Sequence, residues 1–261
     1  MKRLIQSLFM GCLFVFSIPT FARELVEYVI AAEQLNNHIA RSNSIGAMPK
    51  LDDKNIASYF SILTDSAGLL DVTSNNHEKD LGYYNRVCVK TVDFMGLYIF
   101  FNPSETPISR LSSQNLLELM NKNKVNYQNE LTLLNNFNIK CEAKTIPLLT
   151  IFAQNLKSNF PPEVFQVMSK SPFSFASNNF LSNLSQACSL IYGEENSSKL
   201  LTTLAELSRG YAEALQIESR HEVLAIAKAE QKKLPARFYI YLQKIIDEMS
   251  TESCEGLCAL K

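Results

Sequence analysis

Apolar side chains recur at intervals of three and four residues along most of the chain, which is the spacing of one face of an α-helix. The pattern is cleanest in the last third, where it forms four successive stripes. Their members are Phe180, Leu181, Leu184, Cys188 and Ile191; Leu200, Leu204, Leu207, Tyr211 and Leu215; Val223, Leu224, Ile226 and Ala227; and Phe238, Leu242, Ile245 and Met249. Short connections separate the stripes, so the spacing predicts antiparallel neighbours in a bundle.

The glycine content favours the same fold class. The chain has 8 glycines in 261 residues, well below the usual share of ~7%, and tight hairpins depend on glycine. Residues 87–92 are rich in β-branched side chains and are compatible with a strand, but Tyr84, Val87, Thr91 and Met95 repeat at helical spacing. We therefore predict an all-α fold, an irregular bundle of roughly 8–11 amphipathic helices whose C-terminal four are the most bundle-like.

Helix boundaries follow from local signals. Pro147 fits the first position of a helix that Thr145 caps, and Ser219 with Glu222 has the spacing of a capping box. Residues 169–177 are rich in Ser, Pro and Phe and are typical of a linker.

This linker divides the chain into an N-terminal helical region over 23–176 and a C-terminal bundle over 177–250, followed by a cysteine-bearing tail over 251–261. One continuous domain over 23–250 is the alternative. A helical solenoid is weaker, because no second copy keeps a repeat period.

The first 22 residues have the pattern of a secretory signal peptide. Lys2 and Arg3 precede an apolar run over residues 4–16, and small residues follow at Thr20 and Ala22. We predict cleavage after Ala22. A lipid anchor on Cys12 and an uncleaved membrane anchor are alternatives.

The length of the apolar runs bears on these alternatives. The first run continues past Cys12, and it is shorter than the ~20 residues of a membrane span. The next candidate, residues 94–101, is shorter still. We expect an exported protein, periplasmic or secreted, with no transmembrane span in the mature chain.

Charge excludes one class of partner. Without Lys2 and Arg3, the 25 basic and 26 acidic residues become 23 and 26. This near balance gives no basic surface of the kind that binds nucleic acid. The expected partner is a protein.

Five cysteines remain after the predicted cleavage, and export permits disulfides among them. They are Cys88, Cys141, Cys188, Cys254 and Cys258. Cys254 and Cys258 lie one helical turn apart, within bonding distance, although a bond from the tail to one of the other three is also open. The spacing is not Cys-x-x-Cys, and no histidine lies near. Cys188 is on an apolar face, which predicts a buried thiol.

No catalytic, cofactor-binding or metal-binding motif is present. The histidines are isolated, and the paired carboxylates lie at helix starts, where they favour the helix dipole. These residues are His38, His77 and His221, Asp52 and Asp53, and Glu194 and Glu195. Tyrosines could line a groove, but a buried ring with its hydroxyl at the core edge is more common. They are Tyr83, Tyr84, Tyr98, Tyr192, Tyr211, Tyr239 and Tyr241.

These patterns favour a non-catalytic protein that binds a macromolecule: an adaptor, an inhibitor or immunity-type protein, or a component of an envelope or secretion assembly. One alternative is a secreted hydrolase of envelope or extracellular polymers, which would require a pocket with a strongly shifted pKa beside a partner group. The other is a carrier of a small apolar ligand, with residues 94–101 lining a closed cavity between helices.

Overall fold

The fold is all-α, as predicted. In a computed structural model of the chain, the residues described are 20–44, 46–66, 77–104, 107–168, 170–251, 254 and 256–260. They contain ten α-helices and no strand. The helices are α1 (Thr20–Ser44), α2 (Lys54–Leu63), α3 (His77–Ile99), α4 (Ser113–Asn126), α5 (Gln128–Asn159), α6 (Pro162–Met168), α7 (Lys170–Cys188), α8 (Gly193–Ala214), α9 (Ile217–Gln231) and α10 (Tyr239–Met249).

Helix α5 lies at the centre and packs against α3, α4, α6, α7 and α8. The prediction that a new helix begins at Pro147 is wrong, because α5 runs through that residue. A proline inside a helix costs about 3 kcal/mol. Ile146 and Leu148 are both buried beside it, and burial of two such side chains contributes a comparable amount. Packing therefore keeps the helix continuous.

Two other predicted boundaries are also wrong. The described part of the expected linker, residues 170–177, forms the first turns of α7; Pro172 lies where the backbone N–H has no intrahelical acceptor, so it is tolerated. Helix α9 begins at Ile217 after Gln216, which places Ser219 inside the first turn instead of at the cap.

Helix α1 places only part of its apolar side chains in the core. Ala32 and Ile39 are buried, but Val29 is 46% exposed. Tyr28 occupies the inward position instead and donates a hydrogen bond to the Val87 carbonyl, 2.8 Å away. Residues 1–19, including Cys12, lie outside the described residues, and the helix begins at Thr20, before the predicted cleavage site after Ala22.

The C-terminal stripes contribute many residues to the main core. Helix α8 packs against α5, α7 and α10, and α10 also packs against α9. Phe238, Leu242, Ile245 and Met249 are all buried, as their spacing predicts. Residues 87–92 are helical within α3. Among the described helices, none combines the length and the apolar character that a bilayer span requires.

The tail docks on this core through Arg220. Its guanidinium, which is almost fully buried, donates to the carbonyls of Leu215 and Thr251 and to the Cys258 sulfur, 3.3 Å away. Gly256 lies so close to α8 that an added Cβ would be 2.6 Å from the Glu213 carbonyl. The tail therefore packs at a specific place, against α5, α8 and Arg220 of α9.

Candidate functional site

Helices α3 and α7 both pack on α5, and a groove of about 450 Å³ lies between them. This volume is within the usual range of ligand sites. The side chains that line it are Tyr84, Cys88, Val89, Val92 and Met95 from α3; Asn135, Asn138, Glu142 and Thr145 from α5; and Asn179, Ser182, Asn183 and Gln186 from α7.

Helical spacing makes the groove amphipathic. The lining residues of α5 lie three and four positions apart, and those of α7 are Asn179 and the residues three, four and seven positions after it. Each helix therefore presents one polar face to the groove. The α3 wall is apolar along Val89, Val92 and Met95. One wall is therefore suited to aliphatic groups and the other to hydrogen-bonding groups.

Glu142 is the only carboxylate among the lining residues, and it is 8% exposed. Asn138 Nδ2 donates to its Oε1 over 2.6 Å, and Asn183 Nδ2 lies 3.5 Å from its Oε2. The Tyr211 hydroxyl donates to Oε2 from 3.2 Å. All of these partners are neutral, so within the described chain the carboxylate is buried without a cation.

Burial without a cation changes the proton affinity of Glu142. Desolvation is the largest effect, and it raises the pKa of Glu142 from 4.5 to about 7. The hydrogen bonds from Asn138 and Tyr211 act in the opposite direction and offset part of this rise. The pKa of Tyr211 is also raised, by its own burial and by the neighbouring carboxylate. Glu142 therefore keeps its proton to a higher pH than an exposed glutamate does.

Asn135 lines the same groove with unpaired polar atoms. Its side chain is 1% exposed, and neither Oδ1 nor Nδ2 has a hydrogen-bond partner. Thr132 Oγ1 and Ser197 Oγ are the other such atoms found in the described residues, but neither residue lines the groove. A buried amide without partners costs about 1–3 kcal/mol. A bound group that supplied hydrogen bonds would remove that cost.

A disulfide fixes two walls of the groove. Cys88 of α3 is bonded to Cys141 of α5, with the Cα atoms 5.9 Å apart. Tyr84, Val87, Phe137 and Leu148 pack around it as a separate apolar cluster. The bond therefore holds the apolar wall against the helix that carries Glu142.

The other cysteines lie away from the groove. Cys254 and Cys258 form a second disulfide with Cα atoms 5.8 Å apart. Cys188 is unpaired and buried. Burial raises the pKa of its thiol to about 12, so it is unreactive at neutral pH.

None of the histidines or paired carboxylates whose side chains the structure describes lines the groove. Asp53 caps α2 by accepting from the Asn55 amide over 2.8 Å, and Glu195 pairs with Lys199. Glu194 pairs with Arg237. His38 lies against the Tyr59 ring, and His221 is exposed. Asp52 is exposed, and the side chain of His77 is outside the described part.

The predicted tyrosines and aromatic run contribute mainly to the core. Tyr84, Tyr98, Tyr192 and Tyr211 are fully buried, and of the seven tyrosines only Tyr84 lines the groove. In residues 94–101, Phe94 and Tyr98 are buried in the main core, while Leu97 and Phe100 line a surface depression.

Sequence analysis missed Glu142, Asn135, Asn138 and Asn183. The available signal was a polar stripe at helical spacing, formed by Asn135, Asn138, Glu142 and Thr145 on one face of α5. Such a stripe looks like a solvated face until the neighbouring helices are known.

No cluster of three His, Cys, Asp or Glu that could hold a metal ion occurs in the described part of the chain. No protein-family model, curated protein or solved structure matches this chain.

Proposed function

We propose that the protein is an exported, non-catalytic binding protein that holds its partner in the groove between α3, α5 and α7. It acts in the periplasm or another extracytoplasmic space, as an adaptor, an inhibitor or immunity-type protein, or a component of an envelope or secretion assembly. The observation that carries the proposal is Asn135, a buried amide that lines the groove with both polar atoms unpaired.

Two features support export. Residues 1–22 have the order of a signal peptide, basic then apolar then small. Two cysteine pairs lie at disulfide geometry, and disulfides persist in oxidising compartments.

The surroundings of the groove support a macromolecular partner. Val89, Val92 and Leu97 of α3 are exposed, and so is Phe100, which follows the helix. Leu97 and Phe100 lie outside the groove and extend its apolar wall. Apolar surface that continues past a pocket is typical of a protein interaction site. A partner of this kind would place one group in the groove and cover the α3 face.

Site-specific photocrosslinking in the native compartment tests this proposal. A photoreactive phenylalanine analogue replaces Val92, which is 50% exposed, and in a matched control it replaces Val125 of α4, which is 55% exposed. We expect one discrete adduct from position 92 and none from position 125. If the adduct is lost when Asn135→Leu is also introduced, the crosslinked partner binds through the groove. Identical adduct patterns at the two positions would contradict the proposal.

A hydrolase is the second candidate, because Glu142 has the pKa of a general acid and lies in a groove beside Tyr211. Hydrolysis of glycosidic bonds commonly uses two carboxylates, and no second Asp, Glu or His is among the groove-lining residues. The test is cleavage of purified envelope polymer by the wild type and by Glu142→Gln. Cleavage by the wild type alone would favour the hydrolase.

A further inference from the structure

The ligand class follows from the charges that line the groove, and it rests on the groove being the binding site proposed above. No Lys, Arg or His is among the lining residues, and Glu142 is the single lining carboxylate. An anionic group placed there would meet like charge without any compensating cation. Phosphate, sulfate and carboxylate groups are therefore disfavoured as occupants.

The hydrogen bonds around Glu142 use the amide nitrogens of its neighbours and leave amide oxygens without a partner. Asn138 and Asn183 use their Nδ2 groups on the carboxylate, so their carbonyl oxygens remain available. Asn135 Oδ1 is also unpaired, but it is buried, so a ligand reaches it only when the amide turns towards the groove. A group with several N–H donors and a positive charge would satisfy these oxygens and pair with the carboxylate.

The apolar wall determines what carries that charge. Val89, Val92 and Met95 present aliphatic surface opposite the amides, while the one aromatic lining residue, Tyr84, is fully buried and offers no ring face. A flexible methylene stem fits such a wall, since long amine side chains bury the stem along apolar surface.

We infer that the groove binds an alkylammonium group, a primary amine on an aliphatic stem, with the ammonium paired to Glu142 and held by the amide oxygens of Asn135, Asn138 and Asn183. The amine is supplied either by a lysine side chain of a protein partner or by a free diamine. The two sources share the same chemistry at Glu142.

Titration with defined amines, followed by NMR of the asparagine side-chain amides, tests the inference. The probes are Nα-acetyl-lysine methylamide, 1,5-diaminopentane and, as an uncharged control of similar length, 1-pentanol. We expect the amide signals of Asn135, Asn138 and Asn183 to shift with at least one amine and to stay unchanged with pentanol. Preference for the lysine derivative identifies a protein source, and preference for the diamine identifies a free amine.

Two variants show whether binding depends on the carboxylate. Glu142→Gln should weaken amine binding by about tenfold or more, the size expected for a lost charge-assisted hydrogen bond. The matched control is Glu130→Gln, a buried glutamate on the same helix that accepts from the Leu51 amide outside the groove; it should bind as the wild type does. Should Glu142→Gln not fold, Asn183→Ala is expected to weaken binding in the same direction.

The outcomes separate this inference from the proposed function. No shift with either amine, or equal shifts in Glu142→Gln and the wild type, overturns the alkylammonium assignment while a position-92 adduct still supports the binding function. If the amines bind but position 92 gives no adduct, the proposal of a macromolecular partner is contradicted, and the groove is a site for a free amine.

Discussion

The Tyr211 hydroxyl lies 3.2 Å from Oε2 of Glu142, and the two residues come from α8 and α5, 69 positions apart in the chain. Both side chains are buried, and no cation contacts the carboxylate among the described residues. The pair joins the main core to the groove between α3 and α7. We expect this contact to affect both the stability of the protein and the pKa of Glu142.

The stability of the protein should depend on the ionisation of Glu142. Its folded pKa of about 7 lies above the ordinary value of 4.5, so the folded state binds the proton more tightly than the unfolded state does. The resulting stabilisation is fully present below pH 4.5 and is lost as the pH rises to about 7, a change of about 3 kcal/mol. Urea unfolding of the wild type and Glu142→Gln between pH 4.5 and 8 measures it. Parallel pH profiles for the two proteins would contradict the prediction.

Removal of the Tyr211 hydroxyl should raise the pKa of Glu142 further, because the hydrogen bond from that hydroxyl lowers it. The measurement is carbon-13 NMR titration of the Glu142 carboxyl in Tyr211→Phe. Tyr192→Phe is the control, since Tyr192 is equally buried and its hydroxyl donates to Gln186 Oε1 over 2.9 Å. An unchanged Glu142 titration in Tyr211→Phe would show that the contact is not a hydrogen bond in solution.

Asn135→Leu should be neutral or stabilise the protein by about 1 kcal/mol, because an unpaired buried amide is replaced by an apolar group of similar size. Asn196→Leu is the contrast: the Asn196 amide is also buried, but it donates to Asn129 Oδ1 and the Tyr192 carbonyl, so its loss should cost about 1–3 kcal/mol. Chemical unfolding of both variants gives the comparison. Equal destabilisation would mean that Asn135 is already hydrogen-bonded in the unliganded protein.

The two disulfides should differ in their contribution to stability. Cys88 and Cys141 are 53 residues apart, and Cys254 and Cys258 are 4 apart. The chain-entropy relation gives about 4 kcal/mol for the first loop and about 2 kcal/mol for the second. Unfolding free energies of the double variants Cys88→Ala/Cys141→Ala and Cys254→Ala/Cys258→Ala test the order. A larger loss from the tail pair would reverse it.

Gly256→Ala should release the tail, because the new Cβ would lie 2.6 Å from the Glu213 carbonyl. Gly210→Ala is the matched control: it lies inside α8 with nothing near the added Cβ, and alanine in a helix should stabilise by about 0.5–1 kcal/mol. Hydrogen exchange at Leu257 and Cys258 should accelerate in Gly256→Ala and stay unchanged in Gly210→Ala. Unaltered exchange in Gly256→Ala would show that Gly256 does not pack against Glu213.

The periodicity of apolar residues predicted the fold because it is a local property. It located the last buried stripe, Phe238 just before α10 and Leu242, Ile245 and Met249 within it, without knowledge of the neighbouring helices. The predictions were wrong at Pro147 and over residues 170–177, where they were based on local signals typical of a helix start and of a linker. At Pro147, burial of the adjacent Ile146 and Leu148 opposes the effect of the proline, and such burial is set by tertiary contacts that the sequence does not display.

The sequence alone could not predict the groove, because the groove also depends on tertiary contacts. Glu142, Asn135 and Asn183 become a site only when α3 and α7 flank α5, and the disulfide that fixes this arrangement joins Cys88 to a partner 53 residues away. Each of these polar residues, taken alone, has an ordinary surface interpretation. The four-residue spacing of Cys254 and Cys258, in contrast, was enough to predict that these two cysteines lie within bonding distance of each other.

Carbon-13 titration of the Glu142 carboxyl with and without saturating 1,5-diaminopentane tests the groove most directly. Tyr211 from α8, Asn138 from α5 and Asn183 from α7 are the groups that contact this carboxylate, and of these only Tyr211 titrates, far above neutral pH. We predict a pKa of about 7 for Glu142 without ligand and a fall of about one unit or more when the ammonium pairs with the carboxylate. A pKa that is near 4.5 without ligand, or that does not move when the amine is added, would contradict the assignment of this groove as the binding site for an amine.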